Sequence, residues 1–107
     1  MTWKTDYIGF LRQVIKELHG CEAEHVETVS VTEQFEGQTV WDGEVEVFDA
    51  RGDPTIKKLF AWAYPESPDK PDLKAVTVLA VPPVTTPRKA VQAFIARRYR
   101  KDADSEA

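Results

Sequence analysis

The sequence predicts an α+β fold: a two-layer sandwich in which a four-stranded antiparallel meander sheet is flanked in sequence by N- and C-terminal helices. Three observations predict it. Apolar residues recur at helical spacing near both ends of the chain, they alternate with polar residues in between, and short turn-forming stretches join the alternating segments. Short connections favour antiparallel neighbours, and two amphipathic helices need one face of that sheet to cover their stripes.

The first helix is expected over residues 6–19. Thr5 or Asp6 can cap it, Ile8, Leu11, Ile15 and Leu18 form its stripe with Phe10 and Val14 at the sides, and Gly20 sits where a left-handed C-terminal cap is needed. Two strands follow, 26–35 and 39–48. Val29, Val31 and Phe35 alternate with polar residues in the first, and Trp41, Val45 and Val47 with Asp42, Glu44 and Glu46 in the second. Glu36-Gly37 supplies the turn between them. After the turn-rich stretch 49–54, a third strand is expected over 56–64. The segment 65–71 holds Pro65, Pro68 and Pro71 and reads as an exposed, stiff loop. The fourth strand, 73–81, is apolar on both faces and ends at Pro82-Pro83. The last helix begins with Thr85 or Thr86 as cap and Pro87 at its first position, and buries Val91, Phe94, Ile95 and Tyr99.

A chain of 107 residues, 42% apolar with eleven aromatic residues, can fill one core without disulfides or metals. A single domain over 1–101 is expected, followed by a flexible acidic tail, 102–107. The lone Cys21 excludes an intramolecular disulfide. The stretch from Met1 to Asp6 lacks the pattern of a secretory signal, and no segment approaches the roughly 20 apolar residues that span a bilayer, so a cytoplasmic protein without membrane contact is expected. The net charge of −4 is unevenly spread: residues 1–81 carry eight basic and fifteen acidic side chains, whereas 82–101 carry six basic and no acidic ones. An acidic body repels phosphate at long range and disfavours general nucleic-acid affinity.

Four groupings are candidates for chemistry. Phe60, Trp62 and Tyr64 stand at i, i+2 and i+4, so in a strand their rings share one face. They form either the core or a platform on which flat ligands stack, and the core is favoured because large rings are mostly buried. His19, Cys21 and His25 lie close in sequence, but a structural zinc site wants four ligands at closing spacings, so no metal is predicted. Asp42, Glu44 and Glu46 share a strand face and read as a solvated surface. Lys89, Arg97 and Arg100 share the outer face of the last helix, where a solvated surface is favoured over a phosphate site. Arg51-Gly52-Asp53 reads as a turn. No glycine-rich phosphate loop or nucleophile–base set can be assembled, and no cofactor is predicted.

With Arg88 and Lys89 at the start of its last helix, the layout of helix, antiparallel strands and helix resembles in topology a double-stranded RNA-binding domain. The chain departs from that family in its extra strand, its acidic body and its lack of the histidine-bearing loop between the first strands. The resemblance implies no function.

The expected function is that of a small non-catalytic binding or protein-interaction module, self-associating as a homodimer through an apolar second sheet face. Its candidate binding residues are Trp62, Tyr64, Lys89, Arg97 and Arg100. The alternative is nucleic-acid binding through the basic last helix. An enzyme or small-ligand carrier would need a pocket lined by Trp41, Trp62 and Tyr64 with a few polar groups.

Overall fold

A computed structural model describes residues 3–52, 55–67 and 69–106, without the side chains of residues 3, 66, 67, 70, 71 and 98–106. The elements are α1 (Trp3–His19), β1 (Glu22–Phe35), β2 (Gln38–Arg51), β3 (Lys58–Ser67), β4 (Lys70–Leu79) and α2 (Pro87–Glu106). The strands form one antiparallel sheet in the order β1-β2-β3-β4, the expected meander.

The local signals act as the chemistry requires. Gly20 ends α1 at φ +69°, its N–H donating to the Lys16 carbonyl at 2.9 Å. Glu36 (φ 52°) and Gly37 (φ 78°) are both left-handed, the two-residue hairpin turn whose twist matches the flanking strands. Thr86 caps α2, its hydroxyl accepting from Lys89 N–H at 3.2 Å and its carbonyl from Ala90 N–H at 3.0 Å. The proline-rich segment is mostly strand rather than loop. β3 runs to Ser67 and pairs with β4 as far as Ser67↔Lys70. Pro68 lies outside the described residues.

The layering departs from expectation. The two helices divide between the sheet faces instead of sharing one. Leu11 and Ile15 of α1 pack with Phe48, Leu59 and Ala61, whereas Ala90 and Val91 of α2 pack with Val45, Val47, Phe60 and Trp62. β3 makes the division plain, because Leu59, Ala61 and Ala63 face α1 while Phe60, Trp62 and Tyr64 face α2. A strand buried on both sides is apolar on both sides, which also accounts for β4. The apolar second face expected to carry self-association is the one covered by α2.

β1 serves both cores through one extra residue. Its register steps from His25↔Phe48 to Glu27↔Val47, leaving Val26 unpaired and exposed. That bulge switches the inward parity, so Ala23 joins the α1 cluster while Val29 and Val31 join the α2 cluster. In α1, Leu18 is exposed despite its place in the expected stripe. The buried flank is instead completed by Tyr7 and by His19, whose Nε2 lies 2.8 Å from the Thr77 hydroxyl.

Candidate functional site

The sheet is not evenly zipped. β1 and β2 pair along their whole length and β3 pairs with β4 out to the turn, but β2 meets β3 only from Glu46↔Ala61 to Asp49↔Lys58. Beyond Glu46 and Ala61 the two ribbons part. The Ala63 N–H, which would otherwise face β2, donates to the Tyr7 hydroxyl of α1 at 2.9 Å. Pro65, of the same parity, has no N–H to offer a strand there.

The parting leaves a cleft of about 280 Å³ lined by Trp41, Asp42, Gly43 and Glu44 of β2, Trp62, Ala63 and Tyr64 of β3, and Phe94 of α2. Its rings meet at steep angles. Trp41 and Trp62 lie 5.5 Å apart at 73°, Trp62 and Phe94 lie 5.5 Å apart at 89°, and Tyr64 and Phe94 lie 6.1 Å apart at 60°. Gly43 makes room for this wall: a Cβ there would stand 3.2 Å from Cη2 of Trp41, so a side chain would push the indole away. Trp62 is only 2% exposed, and among the described residues its Nε1–H has no hydrogen-bond acceptor. A buried donor left unpaired costs about 1–3 kcal/mol, so an acceptor brought within reach of this indole would be stabilised.

Behind the cleft, on the α1 side, lies a saturated polar cluster. Glu46 was expected on a solvated face with Asp42 and Glu44, yet it is fully buried, because α1 covers that part of the face. Its carboxylate accepts from Lys4 Nζ at 2.8 Å and from the Thr28 hydroxyl at 2.5 Å, and lies 2.8 Å from His25 Nε2. Burial pushes the Glu46 carboxyl up, but the hydrogen bonds from Lys4, Thr28 and His25 outweigh it and hold its pKa below the ordinary value. The bond to Glu46 likewise raises the Lys4 ammonium. Burial raises the Tyr7 phenol, against its bond from Ala63. Asp42 and Glu44 stay exposed, the former accepting from the Thr32 hydroxyl at 3.0 Å, the latter 4.0 Å from Lys4 Nζ.

The chain matches no family model, no curated protein and no solved structure. The topological likeness to a double-stranded RNA-binding domain gains no support.

Of the residues singled out in the sequence, Trp62 and Tyr64 come together on the cleft wall, with Trp41 opposite. The stripe is mainly core, with Phe60 and Trp62 buried and Tyr64 half-buried. Lys89 and Arg97 are exposed on α2, away from the cleft lining, and the Arg100 side chain lies outside the described residues. His19, Cys21 and His25 go separate ways, and among the described residues no group of three or more His, Cys, Asp or Glu could hold a metal ion. No helix among them is long and apolar enough to cross a membrane. Sequence reasoning missed Phe94, Gly43 and Tyr7 as parts of the site. The Trp41-Asp42-Gly43 spacing is the one local signal, since a ring two residues from a glycine on the same strand face can fold over it.

Proposed function

We propose that the protein is a small non-catalytic binding module whose binding element is the cleft between the parted strands β2 and β3. The ligand is a small molecule or side chain with a compact apolar body and a hydrogen-bond acceptor. The observation that carries this reading is the Trp62 Nε1–H, buried and without an acceptor on the wall of an aromatic cleft. The cleft falls just below the size range of small-molecule sites, roughly 300–1,000 Å³, and sets four aromatic rings beside the carboxylates of Asp42 and Glu44. A catalytic reading has less support. Among the described residues the lining holds no Ser, Thr, Cys, Lys or His, its carboxylates Asp42 and Glu44 are exposed, and the Glu46 carboxylate behind them is already engaged by three neighbours. Binding of nucleic acid through α2 has less support too, since Arg88 is tied to Glu33 of β1 at 2.6 Å.

Indole ¹⁵N–¹H spectra test the proposal, with peaks assigned through Trp41→Phe and Trp62→Phe. Among small fragments bearing carbonyl or hydroxyl acceptors, binders should move the Trp62 and Trp41 peaks together. A broad set of such fragments that moves neither peak would overturn the reading.

A further inference from the structure

Resting on the reading of the cleft as a binding site, we propose that its ligand is an organic cation: a compact ammonium group carrying an oxygen acceptor. The charge follows from the lining. Two carboxylate residues, Asp42 and Glu44, belong to it and, among the described residues, no basic one does. In the cluster behind it, two carboxylates, Glu44 and Glu46, meet the ammonium of Lys4. An anionic ligand would enter against that field, and a cation with it.

The walls supply the second half of the argument. Trp41 packs edge to face on Trp62 and Trp62 on Phe94, Tyr64 is tilted against Phe94, and all four rings line the cleft. A ring face left open on such a wall attracts a cation, and a weakly hydrated ammonium with methyl substituents loses least water on entering. The two kinds of group reach one space because the sheet is open there. By strand parity Asp42 and Glu44 project on the α1 side and Trp41 on the α2 side, and the parting of β2 from β3 removes the backbone that would otherwise separate them. The acceptor requirement comes from the Trp62 Nε1–H.

Choline and 3,3-dimethylbutan-1-ol have the same shape and hydroxyl group and differ in charge. The full chain is titrated with each at low salt, following the Trp41 and Trp62 indole peaks. Choline is expected to bind about tenfold tighter than the neutral isostere, a ratio set by cation–π attraction plus the carboxylates. The double variant Asp42→Asn/Glu44→Gln, both sites exposed, should weaken choline about three- to tenfold and leave the alcohol unchanged. Equal affinity for the two probes would overturn the cation inference while leaving the cleft a binding site. Binding of neither would overturn the inference and count against the cleft as well. A choline preference that survives the double variant would overturn the role given to the carboxylates.

Discussion

On the α1 face of the sheet the one buried carboxylate, Glu46, is met by Lys4, Thr28 and His25, and the Ala63 N–H that lost its strand partner is met by Tyr7. On the α2 face the buried Nε1–H of Trp62 meets no acceptor among the described residues. Both faces bury aromatic and aliphatic groups to the same degree, Phe48 on one side and Phe60 on the other each being nearly inaccessible. Apolar packing therefore does not distinguish them. The treatment of polar groups does: the buried carboxylate of the α1 face is saturated, whereas the α2 face keeps a buried donor without an acceptor among the described residues. This is the difference to break.

The largest effects should be equal on the two faces. Phe48→Ala and Phe60→Ala should each cost about 3–5 kcal/mol in chemical denaturation, the usual loss for deleting a buried ring. If one of them cost under about 1 kcal/mol, its face would not belong to the cooperative core. Next is Glu46→Ala, on the α1 face alone. It should cost about 3 kcal/mol, the low end for breaking a buried charge pair, because the Lys4 side chain is 35% exposed and can rehydrate.

How far the sequence anticipated this contrast can be seen residue by residue. The helix caps, the Glu36-Gly37 turn and the strand order follow from local chemistry, and all lie within a few residues of their signals. The side taken by each helix was hidden, because β3 and β4 are apolar on both faces and either face could take either helix. Glu46 shares a parity with the exposed Asp42 and Glu44, so alternation marks all three for water. Its burial depends on Lys4, 42 residues away. The cleft could be named only conditionally, since Trp41 and Trp62 meet through the place where pairing stops and Phe94 joins them only once α2 has docked.

Tyr7→Phe probes the junction between the two regions. It keeps the ring and removes the acceptor of the Ala63 N–H, so it should cost about 1–3 kcal/mol. It should also speed hydrogen exchange at Ala63 more than at Leu59, which keeps its place in the β2–β3 ladder. Unchanged exchange at Ala63 would mean that the hydroxyl is not what satisfies the opened strand.

The Glu46–Lys4 pair also predicts a pH dependence. The Glu46 pKa is held below its unfolded value of 4.5, so its stabilisation is present above pH 4.5 and is lost as pH falls through the lower folded value. Lys4 is raised above 10.5, so its share is present below pH 10.5 and is lost as pH climbs through the folded value. Lys4→Met should flatten both limbs, by about 1 kcal/mol given the partial exposure of the ammonium. Limbs unchanged in the variant would place the acid and alkaline sensitivity elsewhere.

The smallest expected effect is the one that separates the faces most sharply. Removing a satisfied polar group costs its bond and strands its partner, as for Tyr7. Removing a group that has no partner strands nothing. Trp62→Phe deletes the Nε1–H together with part of a buried ring, so a packing loss of about 1–2 kcal/mol is opposed by relief of an unsatisfied donor worth about 1–3 kcal/mol. The net change should lie within about 1 kcal/mol of zero, well below the cost of Phe60→Ala two residues away on the same face. Ligand affinity should fall even so, because the acceptor on the ligand loses its donor. A loss near 3 kcal/mol would mean that the indole N–H is satisfied after all, and the α2 face would then be as closed as the α1 face.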